Sequence, residues 1–186
     1  MEYVIEHLEP KLFEWCMIEY RHISSIVGKE NLMFTSLTKA QSKKLSSLGK
    51  CYTKKACELG LKRVCVLDPA AEKTLNPSDK EKFDYLVFGG ILGDNPPRAR
   101  TKEELEMPGA DRRNIGKEQF PTDNAVAVCK RIIDGTPMDR LEFMENISIG
   151  IAPGEAIDFP FKYLVVNGKP LISEELINYL KKHDGF

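Results

Sequence analysis

A glycine-rich turn follows the most strand-like run of the chain in the sequence Tyr85-Leu86-Val87-Phe88-Gly89-Gly90-Ile91-Leu92-Gly93-Asp94. Three glycines within five residues allow backbone conformations and close approaches that a Cβ atom would forbid. The pattern predicts a strand that ends where a ligand can lie against bare peptide groups, and a tight turn without a ligand is the alternative. The spacing G-G-x-x-G matches neither the dinucleotide fingerprint G-x-G-x-x-G nor a P-loop.

Outward from this stretch, short apolar runs alternate with longer amphipathic runs. Strands are predicted at residues 3–5, 32–35, 64–68, 85–88 and 161–166, and helices at residues 12–26, 124–133 and 173–182. A lysine-rich helical stretch is predicted from residue 38 or 42 to residue 60, and an irregular loop at 94–121. The alternation predicts one α/β domain over residues 1–186, with a mostly parallel sheet and helices on both faces. Ligands of such folds bind at the carboxyl ends of strands.

Composition and charge exclude several classes of protein. The chain has 27 Lys and Arg against 28 Asp and Glu, a net charge of −1, so no global field attracts it to nucleic acid or an anionic membrane. Its five cysteines form neither CxxC nor a zinc-type cluster, and no apolar run approaches the ~20 residues that span a bilayer. Acids near Met1 are unlike a secretory signal. We therefore expect a reduced, cytoplasmic protein that requires no metal.

A second candidate binding segment is Asn114-Ile115-Gly116-Lys117-Glu118-Gln119-Phe120-Pro121-Thr122-Asp123-Asn124, which joins a glycine turn to the start of a helix. The unpaired amides of a helix N-terminus suit a negative or strongly polar ligand group. The alternative is that Thr122 or Asp123 merely caps its own helix.

A third candidate is the segment 149–161, where glycines and two prolines predict a stiff, shaped loop. Its apolar interior is a reasonable wall for an aromatic ring. Glu155 and Asp158 could act as bases or bind a cation, or they could be solvated loop acids.

These segments together resemble one known family. The specific part is Phe88-Gly89-Gly90-Ile91-Leu92-Gly93-Asp94-Asn95-Pro96-Pro97-Arg98, followed by Gln119, Thr122-Asp123, Pro160-Phe161-Lys162-Tyr163 and Gly168-Lys169-Pro170. The pattern is similar to SPOUT-class methyltransferases, in the family that includes an arginine methyltransferase acting on a small-subunit ribosomal protein. The resemblance covers essentially the whole chain.

The resemblance implies a C-terminal deep trefoil knot, although threaded chains are rare among proteins. It also implies S-adenosylmethionine as the cofactor, held in a bent conformation among three loops. By position, the residues that would bind this cofactor are Phe88, Gly89, Gly90, Ile91, Leu92, Gly93, Asp94, Gln119, Thr122, Pro160 and Phe161.

Methyl transfer from a sulfonium is an in-line displacement, which requires an aligned acceptor ~3–3.5 Å from the methyl carbon. An arginine acceptor must also lose a proton, so a nearby carboxylate would dock the guanidinium and accept that proton. Asp94, Asp123 and Glu155 are the available acids, and we expect Asp94 and Glu155 to be catalytic. The candidates for binding substrate, or the methionine carboxylate of the cofactor, are Arg98, Arg112 and Arg113.

The acceptor stays open at this point. The resemblance favours an arginine of a ribosomal protein, presented alone or on the ribosome. Positive charge at Arg98, Arg100, Lys102, Arg112 and Arg113 instead suits a phosphate and favours RNA. Lysines between residues 37 and 63 could contact RNA or form a solvated helix face. A non-catalytic ribosome- or RNA-associated module is the third reading, and a homodimer is a further option.

One position departs from the family. Ala99 stands between Arg98 and Arg100 where the family pattern has an acid. If that acid orients a guanidinium in the family, substrate handling differs in this chain.

Overall fold

The computed structural model describes residues 1–90, 105–152 and 154–182. Within them, a six-stranded sheet has the order β3-β2-β1-β5-β4-β6, and all of its strand pairs are parallel. The strands are β1 (Glu2–His7), β2 (Leu32–Thr35), β3 (Lys50–Cys51), β4 (Val64–Leu67), β5 (Tyr85–Gly90) and β6 (Asp111–Arg113). The predicted parallel α/β architecture is confirmed.

The central pair of the sheet is β1 and β5, which lie in register with Glu6 beside Gly89 and His7 beside Gly90. The chain leaves β1 toward β2 on one side, whereas it leaves β5 toward β6 on the far side of β4. The connections therefore diverge between β1 and β5. In open parallel sheets, the carboxyl ends of the strands at such a point form the ligand-binding crevice.

One face of the sheet packs against helices α1 (Glu14–Val27) and α3 (Thr122–Ile133). Helix α3 has apolar residues at helical spacing, and Val126, Cys129 and Ile133 are buried in this core. The opposite face buries alternate strand residues such as Val4 and Val87. A 3-10 helix (Ala56–Leu59) and Leu105 cover that face.

The C-terminal part forms a hairpin of β7 (Phe143–Ala152) and β8 (Glu155–Val166), followed by β9 (Lys169–Pro170) and helix α4 (Glu174–Lys182). The predicted loop at 149–161 is therefore wrong, because most of it lies in these two antiparallel strands. The missed signal is the alternation Ile147-Ser148-Ile149-Gly150-Ile151. Its isoleucines share one face with Phe159 and pack beside α4.

Two further predictions are corrected. The lysine-rich region 38–60 is mostly not helical: α2 (Lys39–Leu45) stops early, because Ser46-Ser47-Leu48-Gly49 turns the chain toward β3. A Cβ atom at Gly49 would lie 2.7 Å from the Leu32 carbonyl oxygen, so this turn requires glycine. The predicted irregular loop 94–121 contains β6, which at three residues is too short to show alternation.

Two shorter sequence signals are confirmed by the structure. Asn167 and Gly168 have positive φ angles of 53° and 75°, as the predicted turn requires. Ser173 Oγ accepts a hydrogen bond from Leu176 N at 3.1 Å at the start of α4. Among the described residues, no helix has the length and apolar character to cross a membrane. The knot stays a prediction, because residues 91–104 lie outside the described residues.

Candidate active site

The carboxyl ends of β1 and β5 form a closely packed edge. Leu8 N donates a hydrogen bond to Gly90 O at 3.3 Å, and His7 Nδ1 shares one of 2.9 Å with Tyr20 Oη from α1. A Cβ atom at Gly90 would lie 2.5 Å from Tyr20 Oη and 2.8 Å from Ile5 Cγ2. Packing against Tyr20 and Ile5 therefore requires glycine at this position, whether or not a ligand approaches it.

Burial controls the charge of the polar pair at this edge. It lowers the pKa of His7, although the Glu9 carboxylate acts in the opposite direction. Burial also raises the pKa of Tyr20 well above its ordinary value. Both side chains are therefore neutral near pH 7.

The first predicted segment is only partly described. Phe88 is buried in the main core, where its ring stacks on Tyr3 with 6.4 Å between centroids. Its side chain thus has a packing role, which speaks against the predicted cofactor contact. Gly89 and Gly90 lie at the edge itself. The other predicted residues of this segment, Ile91, Leu92, Gly93, Asp94 and Arg98, lie outside the described residues, as does Ala99.

The second and third predicted segments meet. Lys162 N on β8 donates a hydrogen bond to Gln119 O at 2.9 Å. Two residues further along β8, Leu164 N donates to the Asn124 side-chain oxygen at 2.9 Å. The structure therefore brings Gln119 and Thr122 close to Phe161. Pro160 is exposed on β8, whereas Phe161 is half-buried.

The start of α3 differs from the predicted cap. The N-cap is Pro121, and no side chain of the described residues caps the helix. Asp123 instead points into the protein, where its Oδ2 lies 2.7 Å from His22 Nδ1. Thr122 is buried and hydrogen-bonds Glu19 of α1. The other oxygen of Asp123, Oδ1, accepts a hydrogen bond from Asn124 N at 2.7 Å, so one amide of the first turn of α3 is already paired.

Sequence reasoning missed Glu19. Its carboxylate is buried and accepts a hydrogen bond from Trp15 Nε1 at 3.0 Å. Burial, reinforced by the charge of Asp123, raises the pKa of Glu19 to about 8. The one sequence signal for a special role of Glu19 is its position on an apolar face of α1. It lies there among the buried residues Cys16, Tyr20 and Ile23.

The predicted substrate-binding arginines of β6 are already paired. Arg112 Nη1 lies 2.7 Å from Asp68 Oδ2. Arg113 is buried, donates from Nε to Asp79 Oδ2 at 3.1 Å, and lies over the Phe83 ring at 5.0 Å. Arg113 therefore has a structural role, which speaks against its predicted contact with substrate, and Arg112 is free only in part.

Glu155, one predicted catalytic acid, lies exposed at the tip of the β7–β8 hairpin. The rise of a β-strand places it about 20 Å along β8 from Phe161. The structure therefore separates Glu155 from the segments that it brings together.

The parallel sheet, the divergence of connections between β1 and β5, and the meeting of the later segments fit a SPOUT-class methyltransferase. The chain belongs to the SFM1-like family of protein arginine N-methyltransferases, whose model matches residues 2–185. It is thus a homologue of a protein arginine methyltransferase. The protein arginine N-methyltransferase SFM1 of Saccharomyces cerevisiae is 38% identical over 202 residues, covering 98% of this chain and 95% of the relative.

Solved structures agree. Yeast SFM1 complexed with SAH has a TM-score of 0.87 and 36% identity, covering 97% of this chain and 94% of that chain. Yeast SFM1 complexed with SAM gives the same TM-score and identity, with coverage of 97% and 90%. The dual-specific Trm10 from Thermococcus kodakaraensis has a TM-score of 0.59 and 19% identity, covering 74% of this chain and 95% of that chain. That likeness shows the fold alone.

Proposed function

We propose that this chain transfers a methyl group from S-adenosylmethionine to an arginine side chain of a ribosomal protein. The observation that carries the proposal is the match along nearly the whole chain to yeast SFM1 in its complexes with SAM and SAH. The acceptor class follows from the name of that relative, an arginine methyltransferase. The ribosomal protein comes from the resemblance of the glycine-rich stretch described above.

The residues at the carboxyl edge fit this cofactor. Gly89 and Gly90 present backbone at the divergence point, and His7 beside them carries a buried Nε2 atom with no hydrogen-bond partner in the described chain. Polar cofactor groups can pair with such atoms, whose burial is otherwise unfavourable.

When bound, S-adenosylmethionine supplies a methyl group on a positively charged sulfur. We propose that Gly89, Gly90, Gln119 and Thr122 hold it through their backbone, and that Phe161 bounds it. The role of these residues is to orient the donor and to exclude water, because alignment dominates this kind of displacement. Asp94 keeps its proposed catalytic role.

Two of the cations that favoured RNA are occupied by acids of the chain. An RNA acceptor calls for cations that are free to hold phosphates. The guanidinium groups of Arg112 and Arg113 are instead paired with Asp68 and Asp79. These two residues therefore no longer favour RNA.

The experiment is methyl transfer from tritiated S-adenosylmethionine to ribosomes from cells that lack this protein. Protein and RNA are then separated, and the label in each is counted. We expect the label in one ribosomal protein, and acid hydrolysis of that protein should yield methylarginine. Label in RNA would replace the proposal by the RNA alternative. Absence of label, with cofactor binding measured by calorimetry, would favour the non-catalytic reading.

A further inference from the structure

Buried polar atoms that lack a partner lie at the ends of two neighbouring strands. In the described part of the chain, three buried side-chain atoms have no hydrogen-bond partner: Glu6 Oε1, His7 Nε2 and Ser36 Oγ. They belong to the carboxyl ends of the neighbouring strands β1 and β2, where Glu6 pairs with Thr35 in the register. Glu6 and His7 are consecutive on β1, so their side chains face opposite sides of the sheet. Buried polar groups are nearly always paired, so an unpaired oxygen of Glu6 beside Gly89 indicates a ligand.

Glu6 is the best placed of the three to meet a cation. Its side chain has 0% exposure. One carboxylate oxygen, Oε2, accepts hydrogen bonds from Ala56 N at 2.8 Å and from Thr35 Oγ1 at 3.4 Å. These two donors come from the 3-10 helix and from β2, and they fix the orientation of the carboxylate. The other oxygen, Oε1, therefore has a defined direction and unused capacity to accept.

Three other buried acids of the described chain have a cationic or histidine partner, whereas Glu6 has none. Glu19 also lacks a cation, but it accepts hydrogen bonds from Trp15 and Thr122. Asp68 and Asp79 are paired with Arg112 and Arg113, and Asp123 lies against His22. No cation pairs with Glu6 among the described residues. A buried carboxylate that lacks a cation is well suited to receive one from a ligand.

Glu6 lies beside a strand residue that has no Cβ atom. Side chains alternate along a strand, so Glu6 and its neighbour Gly89 face the same side of the sheet. Gly89 is partly exposed and itself contributes no side chain over Glu6. Ser36, at the end of β2, has a positive φ of 59°, a strained conformation of the kind found at functional sites.

We propose that Glu6 Oε1 binds the guanidinium of the acceptor arginine and takes the proton released on methylation. This inference rests on the proposed function. A guanidinium nitrogen forms the bond to the methyl carbon, the carbon–sulfur bond breaks, and sulfur keeps the electron pair. The nitrogen loses one proton to Glu6, which passes it to solvent. Glu6 is then a catalytic residue, because it touches the reacting group.

The test compares Glu6→Gln with the parent protein. Glutamine keeps the shape and still accepts from Ala56 N, but it cannot pair with a cation or take a proton. We expect tritium transfer to the ribosomal protein to fall at least about 100-fold. SAH affinity, measured by calorimetry, should stay within about 2-fold of the parent value. Glu6→Asp keeps the charge with a shorter reach, so we expect it to retain more transfer than Glu6→Gln.

Glu2→Gln is the matched control, because Glu2 lies at the other end of β1 and pairs with Lys50 near the surface. Its transfer should stay within about 2-fold of the parent. Transfer by Glu6→Gln within about 3-fold of the parent would overturn the inference. So would an equal loss of SAH affinity and transfer, which would place Glu6 in the cofactor site.

If Glu6→Gln folds poorly, Thr35→Val provides a second test. This substitution removes the hydroxyl that donates a hydrogen bond to Glu6 Oε2. Its expected result is a 3- to 10-fold loss of transfer with parent-like urea unfolding and SAH affinity, and unchanged transfer would overturn the inference. Results with the parent protein distinguish a failure of the proposed function from a failure of the proposed role of Glu6. A parent that labels RNA refutes the proposed function and the role of Glu6 together, whereas a parent and a Glu6→Gln variant that label protein equally refute Glu6 alone.

Discussion

Two acids in the described part of the chain are fully buried, and their surroundings differ sharply. Asp79 and Glu6 both have 0% exposure. Both oxygens of Asp79 accept hydrogen bonds from Arg113, at 3.1 and 3.3 Å, and Lys82 adds another at 3.1 Å. Glu6 has donors on one oxygen only within the described chain. The difference indicates that Asp79 serves stability, whereas Glu6 serves a ligand.

The strongest test of this comparison is Asp79→Ala. The substitution leaves the buried Arg113 guanidinium without its partner, so we expect the free energy of unfolding to fall by about 3–5 kcal/mol. Urea denaturation measures the change. Asp84→Ala is the control, because Asp84 is exposed and lies 3.7 Å from Arg63. Its effect should stay below about 1 kcal/mol. A loss below about 1 kcal/mol for Asp79→Ala would break the comparison.

The ion pair of Asp79 with Arg113 also predicts how the stability of the protein changes at low pH. Burial alone would raise the pKa of Asp79, but the hydrogen bonds from Arg113 and Lys82 outweigh it and lower that pKa. Asp79 therefore contributes stability above the ordinary pKa of an aspartate, and that stability is lost as pH falls through the lowered value. Asp79→Ala should unfold with a weaker dependence on pH below about 4 than the parent protein.

Glu19 is a third buried acid. Its hydrogen-bond donors, Trp15 and Thr122, are neutral, and its charged neighbour is another acid, Asp123. Its pKa is raised to about 8, so the folded protein holds a proton that the unfolded chain releases above about 4.5. Stability therefore falls as pH rises from about 4.5 to about 8, by at most about 1.4 kcal/mol per pH unit. Glu19→Gln keeps an acceptor for Trp15 and removes the charge. We expect urea midpoints that vary less between pH 5 and 8 and that exceed the parent value at pH 8.

His22→Gln sharpens the interpretation of that result. His22 Nδ1 lies 2.7 Å from Asp123 Oδ2, and no hydrogen bond joins His22 to Glu19 among the described residues. We expect the pH slope of the parent protein to persist in this variant. Equal slopes in Glu19→Gln and the parent would show that Glu19 does not hold the proton.

The substitution Gly90→Ala tests whether the edge near Glu6 is packed as tightly as the interior around Asp79. The new Cβ atom would lie 2.5 Å from Tyr20 Oη, and Tyr20 is buried and bonded to His7. We expect a loss of about 1–3 kcal/mol in the free energy of unfolding. In a Tyr20→Phe background the nearest atom is absent, so the same substitution should cost about 1 kcal/mol less.

Gly150→Ala is the matched control, because a Cβ atom there meets no atom of the described chain within 4 Å. Gly150 lies on β7 and has no positive φ angle. Its effect should be below about 0.5 kcal/mol. An equal cost of Gly90→Ala in both backgrounds would contradict the proposed contact with Tyr20.

The sequence allowed four strands of the sheet, β1, β2, β4 and β5, to be predicted because they are compact apolar runs, whereas β3 and β6 are too short to show a pattern. Three glycines after Phe88 are a local signal for a ligand site at that edge, and that site stays a prediction. The sequence did not predict Glu6, because a single acid at the end of a short strand has no periodic partner. Its burial and its missing partner depend on Ala56 and Thr35, which are distant in sequence. The hairpin was missed because its prolines and glycines obscured the alternation of Ile147, Ile149 and Ile151.

The smallest expected effect is that of Glu155→Gln. Glu155 is exposed at the hairpin tip, where water already solvates its carboxylate, so the free energy of unfolding should change by less than about 0.5 kcal/mol. Its separation from Phe161 argues that tritium transfer stays within about 2-fold of the parent. A loss near 100-fold, with SAH affinity unchanged, would instead restore the catalytic role that the sequence predicts. The proton would then go to an acid from the hairpin, and Glu6 would need another explanation for its missing partner.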